Sequence, residues 1–220
     1  MSKFKAFLAF LATVVVLVFT SRAEASHFRY GNIRYTIPDP VSAPLTVRFE
    51  VVVAWRFDMP DSTTLNFGDG TSNGVSQGLF IGDGTDASTP TPEQYRVYRY
   101  TATHTYPTAG RYVADFNDCC RISTLQNASN QSFKVQAVVD LTPGNTGNPV
   151  TVVPAIVQMQ TGGLRTIVIP AVDPDQTLIS CRFATPTETG STLTVMPPIL
   201  MGTGATPSVT VSSNPPGCAL

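Results

Sequence analysis

Between Leu45 and Phe57 every second residue is apolar: Leu45, Val47, Phe49, Val51, Val53, Trp55 and Phe57. Arg48, Glu50 and Arg56 fall between them. A period of two puts the apolar set on one face of an extended chain and the charges on the other, so this segment predicts one long, half-buried strand. The pattern recurs at Tyr112, Ala114 and Phe116, and again at Phe133, Val135, Ala137 and Val139 against Ser132, Lys134 and Gln136. Ile33, Tyr35 and Ile37 predict an opening strand, stopped by Pro38 and Pro40. Helical periodicity is missing almost everywhere. Many short strands punctuated by Gly, Pro, Asn and Asp predict an all-β chain folded as an antiparallel sandwich.

The first residues read as an export signal. Lys3 and Lys5 form a basic start, Ala6 to Thr20 is apolar and uncharged, and Ala23-Glu24-Ala25 supplies a small-x-small cleavage pattern. The apolar run is shorter than the roughly 20 residues that span a bilayer. Residues 1–25 are therefore expected to be removed, leaving 195 residues in a secreted or cell-surface protein. Their removal takes three basic residues and one acidic residue, leaves a formal charge of −3, and leaves Lys134 as the one remaining lysine. No basic patch remains to neutralise phosphates, so nucleic acid is not an expected partner. No later apolar stretch is long enough for a transmembrane helix.

Four cysteines in an exported chain imply an oxidising compartment. Cys181 and Cys218 share the C-terminal half, and a bridge between them closes a loop of 38 residues, contributing about 3–4 kcal/mol less any strain. Cys119 and Cys120 are neighbours. A vicinal disulfide and a pair of separate thiols, one buried and one exposed, both fit the sequence.

A turn-rich segment without apolar pattern, 142–149, marks a boundary. It divides a first domain, 26–141, from a second small immunoglobulin-like β-domain, 150–220. The strands expected in the second domain are Val150–Val153, Arg165–Ile169, Ile179–Ala184, Leu193–Met196 and Ser208–Val211.

Two motifs in the first domain stand apart. Asn66-Phe67-Gly68-Asp69-Gly70-Thr71 is a tight turn after an apolar strand, and His104-Thr105-Tyr106-Pro107-Thr108-Ala109-Gly110-Arg111-Tyr112 joins a turn to a strand. Ile81-Gly82-Asp83-Gly84-Thr85 echoes the first and reads as a second hairpin-type turn. With Trp55 on its strand, the two motifs resemble the PKD (polycystic kidney disease) domain, an immunoglobulin-like sandwich of secreted and surface proteins. Ser26-His27-Phe28-Arg29 and Cys119-Cys120-Arg121-Ile122-Ser123 are similar to strings in a group of large exported PKD-like proteins. The resemblance covers residues 26–140. It implies structural duties for Trp55, Gly68, Asp69, Gly70, His104, Tyr106, Gly110 and Tyr112, and a fold licenses no activity by itself. In the second half, Ile169-Pro170-Ala171-Val172-Asp173-Pro174-Asp175 is similar to a segment of cadherin-like repeats.

Candidate sites follow from residue type. No serine or cysteine motif supports a hydrolase triad. Cleavage after Ser26 would make His27 the N-terminal residue, which with His104 would form a copper-binding brace like that of lytic polysaccharide monooxygenases. Asp173 and Asp175, and in the Gly-rich insert Asp83 and Asp86, supply the hard oxygens that Ca²⁺ takes, although Asp in such turns also caps its own backbone. Tyr98 and Tyr100, within the run Tyr95 to Tyr112, are candidates for a sugar-stacking face. Asn127-Ala128-Ser129 and Asn130-Gln131-Ser132 are glycan acceptor sequences in a eukaryotic secretory pathway. The reading is a non-catalytic exported module for adhesion, spacing, or protein or carbohydrate binding, needing no cofactor. Residues 72–94 and 124–132 are its expected contact loops.

Overall fold

The computed structural model describes residues 28–57, 62–76, 78–86, 93–122, 125, 130–151, 153–157, 165–180, 182, 184–190 and 209–212. The alternating segment forms a strand of eleven residues, β2 (Thr46–Arg56), preceded by β1 (Tyr30–Thr36). Then come β3 (Ser62–Asn66), β4 (Ser72–Ser76), β5 (Leu79–Asp86), β6 (Glu93–Thr105), β7 (Arg111–Asp118) and β8 (Phe133–Asp140). One sheet has the order β1-β2-β6-β5 and the other β4-β3-β7-β8, with antiparallel pairing throughout. The fold is the expected all-β sandwich.

The period-two residues are its core. Val47, Phe49, Val51, Val53 and Trp55 of β2 are buried and face Ala114 and Phe116 of β7 and Phe133, Ala137 and Val139 of β8. Burying side chains of this size contributes about 1.5–3 kcal/mol each. One end of the sandwich is aromatic. The rings of Phe28 and Phe133 stack with centroids 3.8 Å apart, and Trp55 meets both edge-on at 5.6 and 5.5 Å. Gly31 on β1 makes room for this cluster, because an added Cβ would lie 2.7 Å from the Phe116 ring. The Trp55 indole N–H is buried there and has no acceptor among the described residues.

Two sequence expectations change. Gly82-Asp83-Gly84 is not a turn: it lies inside β5, just after a bulge between Phe80 and Gly82. Gly84 serves another purpose, since a Cβ there would collide with the Tyr95 ring across the β5–β6 ladder. The span 72–94 is consequently no single loop, because β4 ends one sheet and β5 ends the other.

The turn-rich segment 142–149 lies against the free edge of β1. The Ile37 N–H donates to the Thr146 carbonyl (2.8 Å), the Tyr35 N–H to Asn148 Oδ1 (2.8 Å), and Asn148 Nδ2 to the Ile33 carbonyl (3.0 Å). Asn145 Nδ2 donates to the hydroxyl of buried Tyr35 at 2.9 Å. This covering satisfies an edge that would otherwise expose unpaired backbone groups. Beyond it the described elements are short. β9 (Val150–Thr151) pairs with β11 (Ala171–Val172), β10 (Arg165–Val168) pairs in parallel with β12 (Val209–Ser212), and Pro186–Thr189 forms one helical turn, α1. Ile179 and Ser180 are not in a strand, contrary to expectation. The expected strand at 193–196 lies outside the described residues.

The helical turn α1 lies against the sandwich. Arg121 is buried between the Ser132 carbonyl (Nε, 3.2 Å) and the Thr189 carbonyl (Nη2, 2.6 Å), which ties α1 to the start of β8. Burial pushes its guanidinium down to about 10, still charged at neutral pH.

Phe133→Ala opens the aromatic end and should lower the unfolding free energy by about 3–5 kcal/mol. Val138→Ala, on the exposed face of the same strand, should change it by less than about 0.5 kcal/mol. Urea unfolding of the two variants and the parent chain checks both values.

Candidate functional site

Both motifs fold into one structure at the end opposite the aromatic cluster. The loop 67–71 closes the β3–β4 hairpin, and the Phe67 N–H donates to the Thr71 carbonyl at 3.0 Å. Gly68 has φ +85°, and a Cβ there would collide with the backbone of Val113, so both conformation and space require glycine. Gly70 has φ +91°. This turn places Asp69 so that Oδ1 accepts from the Thr71 hydroxyl (2.6 Å) and N–H (3.0 Å).

Asp69 Oδ2 lies 2.7 Å from His104 Nε2, and both side chains are mostly shielded from water. His104 comes from β6, in the other sheet, so the pair joins the sheets. The imidazole stacks face to face on Phe67, centroids 4.1 Å apart, and meets the Tyr106 ring edge-on at 4.6 Å. Tyr106 is buried and donates its hydroxyl to the Phe67 carbonyl at 2.9 Å. Tyr112 stacks on Tyr106 at 4.4 Å and donates to the Thr108 carbonyl at 3.0 Å. The Gly110 carbonyl accepts from the Leu141 N–H at 2.9 Å, closing the group against the end of β8. The bond from the Thr71 hydroxyl, then the His104 contact, hold the Asp69 carboxyl at about 2. Burial, and then the nearby Asp69 charge, raise the Tyr106 phenol above its ordinary value.

Such an arrangement fastens the turn of one sheet to β6 of the other. Both carboxylate oxygens of Asp69 and the Nε2 of His104 are engaged. The Nε2 of His104, the second histidine expected in a copper brace, is in contact with Asp69 Oδ2. Moreover Val47 pairs with His104 whereas Trp55, beside Phe28, lies eight residues further along β2, about 26 Å at strand rise. His27 itself lies outside the described residues.

Other candidates are placed as follows. Tyr100 is 3% exposed and points into the core, so it offers no face to a sugar; Tyr98 packs against the core and meets Phe80 edge-on at 6.1 Å. The inward side of β6 takes both, because the period-two rule that suggests a tyrosine face applies equally to a buried one. Asp175 caps the covering segment: Oδ2 accepts from the Thr146 N–H at 2.9 Å and Oδ1 from the Thr146 hydroxyl. Asp173 Oδ1 accepts from the Asp175 N–H at 2.7 Å. Asp83 and Asp86 belong to β5. Among the described residues no group of three or more His, Cys, Asp or Glu could hold a metal ion.

Cys119 and Cys120 form a vicinal pair with their sulfurs in contact across a cis peptide bond, just after β7. Cys181, Cys218 and Asn127 lie outside the described residues, while Asn130 is in an exposed turn before β8. Among the described residues no helix is long and apolar enough to cross a membrane. Sequence reasoning missed the Phe67–His104 stack and the Asn145–Asn148 covering of β1. The apolar residue directly before the Gly-Asp-Gly turn was the available signal for the first.

The family model described as "Integrin beta-like protein A-E, N-terminal" matches residues 29–142, just over half of the chain and almost the extent of the sandwich. The PKD family, which the motifs resemble, is not the family that matches. Integrin beta-like protein B of Dictyostelium discoideum is 28% identical over 189 residues, 77% of this chain and 9% of that protein. Integrin beta-like protein C of the same organism is 28% identical over 149 residues, covering 62% of this chain and 7% of its own length. The chain thus spans less than a tenth of the curated relatives it matches. No solved structure matches.

Because the carboxyl of Asp69 is held below its ordinary 3.8 in the folded state, its stabilising contribution is complete above that value and is lost as pH falls toward about 2. The parent chain should therefore exceed Asp69→Asn in stability at neutral pH, and the gap should narrow across that acidic window. Paired urea titrations at several pH values measure the gap.

Proposed function

The chain belongs to the family of the integrin beta-like protein A–E N-terminal domain, and from that premise we propose that it is a non-catalytic, exported adhesion module: a rigid sandwich that presents a contact edge to an extracellular protein. The observation that carries this reading is the use of the chemically capable side chains. His104, Asp69, Tyr106 and Tyr112 all hold the two sheets together, and Trp55 closes the other end. What remains for function is surface.

The outer edge of β5 is that surface. The β1 edge of the same sheet is covered by residues 145–148, whereas β5 pairs on its outer side with no strand among the described residues. Leu79, Phe80 and Ile81 are 63%, 50% and 40% exposed there. Backbone groups beside three consecutive exposed apolar side chains suit an extended segment of a protein partner, which would add to the sheet as a strand. A carbohydrate partner is less suited, since Tyr100 is buried and Tyr98 faces the core.

Beads coated with the secreted chain should adhere to cells saturably, with soluble chain competing. The double variant Leu79→Ser, Ile81→Ser should weaken adhesion roughly tenfold, about 1.4 kcal/mol, without lowering the melting temperature. Adhesion that survives the double variant unchanged removes β5 as the contact. Beads that never adhere leave a spacer in place of an adhesive module.

A further inference from the structure

We propose that Asn130 carries an N-linked oligosaccharide; the inference rests on the export reading and goes beyond it. Asn130-Gln131-Ser132 has the acceptor spacing, with no proline at the middle position. The structure adds what the sequence cannot. Asn130 is exposed in the turn that leads into β8, with φ +53°. This left-handed conformation is one that Asn adopts more readily than most residues. The backbone around it is anchored without help from the acceptor side chains. The Gln131 carbonyl accepts from the Arg121 N–H at 2.8 Å, and the Ser132 carbonyl accepts from Arg121 Nε at 3.2 Å. Ser132 is exposed as well. Among the described residues neither the Asn130 amide nor the Ser132 hydroxyl has a hydrogen bond to lose. The fold therefore accommodates a glycan here at no cost to its core.

Its location also suits the proposed contact. β8 is the edge strand of its sheet and lies across from β1, while β5 is the edge at the other side of the sandwich. An oligosaccharide at Asn130 would shield the β8 side against edge-to-edge association and leave β5 open. In the transfer, Nδ2 of Asn130 attacks the anomeric carbon of a lipid pyrophosphate-linked oligosaccharide. The new C–N bond replaces the C–O bond to pyrophosphate, the lipid pyrophosphate departs as an anion, and the amide proton passes to a base of the lumenal transferase.

The test uses the full chain, with its own N-terminal segment, expressed in a eukaryotic secretory cell line. Medium protein is treated with a peptide N-glycanase in ¹⁸O-water, which converts a glycosylated asparagine to ¹⁸O-labelled aspartate, and peptides are read by mass spectrometry. The label is expected at position 130 in the parent and in Asn127→Gln, and is expected to vanish in Ser132→Ala and Asn130→Gln, with secretion retained. A secreted chain without label at 130, or with label at 127 alone, overturns the proposal while leaving export intact. An unmodified chain retained inside the cell overturns the glycan and the export reading together.

Discussion

A single carboxylate joins the two sheets. Asp69 sits in a hairpin loop of one sheet and takes a hydrogen bond from Thr71 on its own turn while contacting His104 on the longest strand of the other. Hydrogen bonds to a charged group contribute about 1.5–3 kcal/mol, and more is at stake when a shielded partner is left unpaired. The surrounding rings make that geometry specific. Phe67 and Tyr106 hold the imidazole on its face and edge, and Tyr106 returns a bond to the Phe67 carbonyl. The loop, the strand and the tyrosines therefore hold position together. The two glycines of the turn are what allow it, since a side chain at Gly68 would meet the neighbouring backbone.

From this fixed end the rest of the molecule follows. The long β2 and β6 carry the register to the far end, where Phe28, Trp55, Phe116 and Phe133 fill the space between the sheets. The covering segment 142–149 begins beside the Asp69 end, since Leu141 bonds to Gly110, and it is held along β1 by Asn145 and Asn148 and capped by Asp175. Arg121 then draws the helical turn at Thr189 against the aromatic end. Among the described residues the space between the two sheets is filled by apolar side chains.

Much of this was legible in the sequence, for a physical reason. Strands β1, β2, β7 and β8 each have one buried and one wetter face, so alternation alone marks them. The turn at Gly68–Gly70 was legible because positive φ favours glycine. The second Gly-Asp-Gly was misleading: its glycines answer to a bulge and to the Tyr95 ring on the next strand, and that requirement is tertiary. The tyrosines were ambiguous because period two shows that Tyr98 and Tyr100 share a face, not which face is buried. Asp173 and Asp175 carry oxygens that suit a cation or a backbone cap equally well, and only the approach of Thr146 distinguishes the two uses. The covering of β1 left no periodic trace, because asparagine side chains and irregular backbone make it.

Asp69 and His104 act as one structural unit, and a double-mutant cycle tests that directly. Unfolding free energies of the parent chain, Asp69→Asn, His104→Gln and the double variant give the coupling between the two side chains. A coupling of about 1–3 kcal/mol is expected, with the double variant little less stable than either single one. Losses that add to within about 0.5 kcal/mol would contradict this, because the two residues would then act independently.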